Sequence, residues 1–154
     1  MKDIVITLPL DLWQKIVKKE KRIELRKGLP RFFDNGRSKC YVVEKGTKNV
    51  LGYFTISSFH ICKYKGVVPE EFACLVGVPA SWIRQYCKIG DSMYMWNIRR
   101  VFEYEPDPTL WDMLKIKTNP QSYVYTDGQI PTKAKERGIG IRMSMSKETD
   151  KLNF

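Results

Sequence analysis

Histidine, acidic side chains and closely spaced cysteines are what this chain of 154 residues has least of. The only histidine is His60, and the four cysteines, Cys40, Cys62, Cys74 and Cys87, form no Cys-x-x-Cys pair. A zinc site needs thiolates or imidazoles at short spacing, so no metal site is expected. The cysteines read instead as reduced, mostly buried thiols of a cytoplasmic protein. No glycine-rich phosphate loop is present and no cofactor is expected. No apolar run approaches the length of a bilayer span. Internal repeats and low-complexity tracts are absent, and Met1-Lys2-Asp3-Ile4 carries an acid rather than the start of an apolar signal segment. Membrane, collagen-like, disordered and secreted classes are set aside on these grounds, and a cytoplasmic location is expected.

Acids are scarce relative to bases: 17 Asp and Glu face 27 Lys and Arg, which leaves a formal charge of +10. A small domain this basic attracts polyanions, nucleic acid above all. The plainer reading is a charge that serves solubility. The hydrophobic share of 43% is enough for one core, so a single domain with a tail is expected.

The pattern along the chain mixes strands and helices. Ile4-Val5-Ile6 is a β-branched run. Pro9 then opens a helix, with Asp11 in its first turn and Leu10, Trp13, Ile16 and Val17 at helical spacing through Lys19. Lys21 to Leu25 reads as a second strand, with Ile23 and Leu25 on one side and Glu24 and Arg26 on the other. Cys40 to Glu44 and Val50 to Cys62 read as a hairpin around Gly46-Thr47-Lys48-Asn49. Two short helices follow, from Pro69 to Gly77 and from Pro79 to Tyr86. A strand is expected over Met93 to Phe102, a turn and short helix over Pro106 to Leu114, and a last strand at Tyr123-Val124-Tyr125. From Asp127 the apolar residues thin out, so residues 1–126 are assigned to the domain and 127–154 to a mobile basic tail. The class is α+β, a small twisted or barrel-like sheet with short helices at its ends.

The charge is concentrated. Lys15, Lys18, Lys19, Lys21, Arg22, Arg26, Lys27 and Arg31 fall within seventeen residues that hold only two acids, Glu20 and Glu24. Clustered cations of this kind suit a phosphate backbone, because each contact releases a counterion. Basic side chains that complement a helix C-terminus are the plainer account of Lys15, Lys18 and Lys19. Glu24 and Arg26 on one strand face are close enough to pair. In a cleft, Glu24 would hold a ribose hydroxyl or base edge and Arg26 a phosphate. Lys21, crowded by Lys19, Arg22 and Arg26, would have its pKa lowered by like charge and would suit a general base. The alternatives are a structural salt bridge for the pair and a solvated cation for Lys21. Ser122 would hold a phosphate or carry a proton beside Lys21, or else is a turn residue after Pro120. Tyr41, Tyr53, Trp96 and Tyr123 are aromatics on or beside strands. Core packing accounts best for each, and Tyr123 has the strongest case for stacking on a base.

Lys21-Arg22-Ile23-Glu24-Leu25-Arg26 after an amphipathic helix resembles the Lys-x-x-Glu-x-Arg signature of ASCH domains, small β-barrels related to the PUA fold. Cys40 to Glu44, Val50 to Ile56, Gly90 to Ile98, Tyr104-Glu105-Pro106 and Pro120-Gln121-Ser122-Tyr123 continue the resemblance in order. It implies a PUA-like β-barrel that sets its motif residues at a cleft and binds RNA or a nucleotide. The residues expected to bind nucleic acid are Lys19, Lys21, Arg22, Glu24, Arg26, Lys27, Arg31, Tyr41, Gln121, Ser122 and Tyr123. Some members look like nucleases, and others are amidohydrolases in which a lysine activates a threonine. Glu24 stands at that threonine's position and cannot supply a hydroxyl nucleophile. A further departure is Lys19, where the family has glycine. Two functions follow as expectations: an RNA- or nucleotide-binding module, or a metal-independent enzyme that cleaves RNA or hydrolyses a modified nucleoside with Lys21 and Glu24 or Ser122.

Overall fold

The computed structural model describes residues 2–131 and 134–137. Strand β1 (Asp3–Leu8) runs into Pro9, whose fixed φ starts helix α1 (Leu10–Val17) with Asp11 in the first turn. Trp13 and Ile16 are the buried face of α1. The chain turns into β2 (Ile23–Arg26), crosses a long connection, and forms the hairpin β3 (Cys40–Glu44) and β4 (Val50–Lys63). Helices α2 (Glu70–Val76) and α3 (Ala80–Tyr86) follow, each opened by a proline and separated by Gly77 at φ 85°. Then come β5 (Ser92–Glu103), the single turn α4 (Leu110–Met113), β6 (Tyr123–Thr126) and β7 (Lys135–Arg137).

The strands form one mixed sheet in the order β2-β5-β4-β3-β1-β6, with β7 on β5 beyond β2. Among the described strands only β1 and β3 run parallel. The long strands β4 and β5 carry the sheet, and two register shifts in β4, flanking Ile56, bend it. Alternation along β1 and β3 divides the interior. Ile4, Ile6, Cys40 and Val42 join a cluster under α1, α2 and α3, whereas Val5, Tyr41 and Val43 join a second cluster with Leu110, Trp111, Leu114 and Ile130.

The expected barrel is not closed. Its two end strands, β2 and β6, have four residues each and share no ladder. Side chains span the gap between them: Arg26 Nη1 donates to the Ser122 carbonyl at 3.1 Å, and the Tyr123 hydroxyl to the Leu29 carbonyl at 3.2 Å. A guanidinium stands where a ladder bond would close the cylinder, which leaves an open, curled sheet.

Two boundaries also move. β2 begins at Ile23, so Lys21 lies in the turn before it. The chain after residue 126 stays in the fold: the Thr126 hydroxyl donates to the Leu114 carbonyl, Ile130 is buried, and β7 pairs Lys135–Arg137 with Val101–Glu103. β7 carries only charged residues, so no apolar alternation announces it. The rest of the expected basic tail, 138–154, lies outside the described residues.

Candidate nucleotide-binding site

The site begins with the way α1 ends. Lys19 N–H donates to the Ile16 carbonyl at 3.0 Å and Glu20 N–H to the Lys15 carbonyl at 2.9 Å, the paired bonds of a Schellman motif. Lys19 occupies the left-handed position at φ 66°, so the turn that glycine would favour is made by a lysine. The chain reverses there and drops the side chain of Lys21 inward, while Arg22 N–H donates to the Leu75 carbonyl at the end of α2.

Lys21 is 2% exposed. Its Nζ donates to the Ile23 carbonyl and to the Val76 carbonyl, both at 2.6 Å, and lies 3.0 Å from Glu24 Oε1. An ammonium has three N–H donors, and all three are engaged. Its stem runs past Gly77, where a Cβ would come within 3.1 Å of it. Lys15 Nζ donates to the Gly77 carbonyl at 2.9 Å, so two lysines serve the carbonyl end of α2. Burial holds the Lys21 ammonium below the ordinary lysine pKa; Glu24 opposes that shift, and like charge from Arg26 and Lys15 adds only a smaller part. The lowering expected from like charge is therefore chiefly an effect of desolvation, and Lys21 is no solvated cation.

Glu24 continues the network. Its Oε2 accepts from Arg26 Nε at 2.6 Å. Burial alone would raise its pKa, but Lys21 and Arg26 together hold the carboxyl below the usual glutamate range. Arg26 also lies 5.8 Å over the Trp96 ring, and its Nη2 has no partner among the described residues. The Nη2 group is thus left for a ligand.

Lys21, Glu24 and Arg26 line one cavity of about 650 Å³, a size typical of small-molecule sites. Of the opposite walls, Gln121 was expected at the cleft, whereas Trp82, Tyr86 and Lys45 were not singled out as site residues. Trp82 and Tyr86 stack at 4.9 Å between ring centroids, and Trp82 is 45% exposed. Lys45, exposed in the β3–β4 turn, is on the rim, and Pro120 and Gln121 stand across from α3. Trp82 and Tyr86 are four residues apart around Ile83, a spacing that reads as a core face. In the fold only Ile83 is fully buried, and its two aromatic neighbours turn to the cavity.

The other expected site residues lie further out. Lys19 is exposed, and Arg22 Nε donates to the Lys19 carbonyl at 3.0 Å, bracing the turn. Lys27 Nζ stands 4.6 Å over the Tyr86 ring and 3.9 Å from Asp91. Arg31 and Ser122 are exposed, and Ser122 meets the network through its carbonyl, not its hydroxyl. Tyr123 is half-buried, edge-on to Trp96. Tyr41 is fully buried in the second cluster and has no free ring face for a base. Trp96 is also buried, and Tyr53 stacks on Phe102 at 4.5 Å. Among the cysteines, Cys40 and Cys87 are buried but Cys74 is exposed.

No protein-family model matches the chain, and no curated protein matches it in sequence. Solved structures do. The ASCH protein of Zymomonas mobilis superposes with a TM-score of 0.62 at 16% identity, over 80% of this chain and 87% of that one. A serine-to-alanine variant of it gives a TM-score of 0.64 over 80% and 87% of the two chains, again at 16% identity. A tyrosine-to-phenylalanine variant gives 0.64 over 81% and 90%, also at 16%. The fold is that of an ASCH domain.

Proposed function

We propose that this chain, with the ASCH fold as its frame, binds single-stranded RNA by holding a nucleotide in the cavity between β2 and α3. ASCH domains generally bind RNA, and three features support that use here. The unpartnered Nη2 of Arg26 and the ammonium of Lys45 suit a phosphate. The Trp82–Tyr86 pair offers an aromatic surface on which a base stacks. The net charge of +10 draws a polyanion to the molecule. The observation that carries the reading is the Lys21–Glu24–Arg26 network. It fixes a guanidinium at the cavity with its Nη2 group unfilled.

Lys21 supports binding rather than catalysis. A general base needs a lone pair, and here all three N–H groups of the ammonium point at acceptors.

Filter binding of a short single-stranded RNA across a salt series tests the proposal. The affinity should fall steeply with salt. Arg26→Gln and Lys45→Gln should each lower it and reduce the logarithmic salt slope by about one contact. Trp82→Ala, at an exposed position, should weaken binding by ~1–3 kcal/mol without unfolding the protein. Binding that ignores salt and all three substitutions would sink the proposal. The same RNA, incubated with chelator present, should be recovered at full length.

A further inference from the structure

Resting on that reading, we infer that the open seam of the sheet carries the RNA strand away from the cavity, and that Phe32 and Arg31 at its far end form a second nucleotide subsite. Phe32 stacks on a base there and Arg31 takes a phosphate. The seam lies between the segment 26–32 and residues 122–125, and side chains rather than a ladder hold it together. Arg26, on the cavity, donates to the Ser122 carbonyl. The Trp96 indole donates to the Gly28 carbonyl at 3.1 Å, and the Tyr123 hydroxyl to the Leu29 carbonyl. At the far end Phe32 N–H donates to the Tyr125 hydroxyl at 3.3 Å. The segment is therefore positioned before a ligand arrives, which spares binding the cost of ordering it.

Rings follow the same line. Arg26 lies over Trp96, and Trp96, Tyr123, Tyr125 and Phe32 stand in succession with 6.3, 5.7 and 5.6 Å between neighbouring centroids. Exposure grows along the row: Trp96 is buried, the two tyrosines are half-buried, and Phe32 is 58% exposed. A single exposed phenylalanine is ordinary, but one that ends a row of rings leading from a binding cavity presents a contiguous apolar surface.

A cation accompanies it. Arg31 is exposed and has no ion-pair partner among the described residues. Burial and Tyr125 raise the pKa of the Tyr123 hydroxyl while the charge of Arg31 opposes them, which sets the guanidinium beside the seam. Lys2 stands 3.8 Å from Asp127 and is already matched, so Arg31 is the cation of this end. An open ring beside an open guanidinium suits the base and backbone of a single strand. A second copy of the chain would set one charge of +10 against another, so the charge favours a polyanion over self-association.

The test titrates the full chain with a dinucleotide and with a hexanucleotide of single-stranded RNA, followed through protein chemical shifts. Only the longer strand should move the Arg31 and Phe32 amide resonances. Phe32→Ala should weaken hexanucleotide binding about five- to 150-fold, the effect of one lost stacked base, and leave dinucleotide binding and the melting temperature unchanged. Phe32→Trp keeps a stacking ring and should retain the native affinity. Arg31→Gln should lower hexanucleotide affinity and reduce its logarithmic salt slope by about one contact. Trp82→Ala should weaken both ligands. Native hexanucleotide affinity in both Phe32→Ala and Arg31→Gln would overturn the subsite, and so would equal losses on the two ligands. In either case a loss on Trp82→Ala would leave the cavity reading standing. Failure of the native protein to bind either ligand would remove both proposals.

Discussion

Lys21 shows how much one side chain's surroundings decide its chemistry. In a linear view it is one of eight cations in a basic stretch. In the fold it is buried, triply hydrogen-bonded and joined to an acid that is itself joined to Arg26. Removing one partner of such a network leaves an uncompensated buried charge, which costs about 3–5 kcal/mol. Lys19, two residues earlier, has the opposite character. It is exposed, and it holds a left-handed backbone conformation that costs an L-residue roughly 1–2 kcal/mol. Lys19→Gly relieves that strain but gives back some unfolded-chain entropy. A net gain of about 0.5–1 kcal/mol is expected by urea denaturation, with the slope unchanged. A loss of stability would mean that the lysine stem contributes packing that outweighs the strain.

At the scale of elements, the sheet depends on close approaches that composition does not reveal. Gly52 sits in β4 beneath the Trp13 ring of α1, where an added Cβ would come within 2.6 Å of the indole and would also meet the Phe102 carbonyl. Backbone cannot yield as a flexible side chain would. Gly52→Ala should therefore destabilise by about 1–3 kcal/mol, the range for overpacking a tight core, and lower the thermal midpoint accordingly. An unchanged midpoint would show that α1 rides more loosely on the sheet than its geometry implies. The helices follow more local rules. Pro9, Pro69 and Pro79 each stand immediately before a helix, and Gly77 ends α2. Those boundaries were legible because proline and glycine act on their own residue's φ. β7 was not legible, because its three charged residues pair with β5 only once β5 has been placed.

For the whole molecule, charge sets limits on stability at both ends of the pH scale. The Glu24 carboxyl is held below its ordinary value near 4.5. Its contribution is therefore present above that pH and is lost as the pH falls through the lower folded value. Burial pushes the Tyr41 hydroxyl up from 10.0 to about 12, and raises Tyr104 in the same second cluster. A group raised on folding stabilises below its unfolded pKa and ceases to do so as the pH rises through the folded one. Stability should thus decline in acid below about 4.5 and again in alkali between 10 and about 12. Denaturation followed by circular dichroism across pH measures both limbs. Tyr41→Phe should flatten the alkaline limb, and retention of its full steepness would assign that limb to other groups.

The order of strands and helices through β6, the proline-marked helix starts and the excess of positive charge were settled by the sequence alone, because each depends on local torsion preferences or on plain counting. The placement of Glu24 and Arg26 on one strand face also followed from the two-residue period of a strand. Three things were decided only in three dimensions. The sheet stays open because no ladder joins its end strands β2 and β6, and no local pattern states how far they stand apart. Lys21 is buried because α2, more than fifty residues later, ends over it. Trp82, Tyr86, Lys45, Thr7 and Asn119 share a cavity because four separate segments converge there, and convergence is a property of packing that residue spacing does not encode.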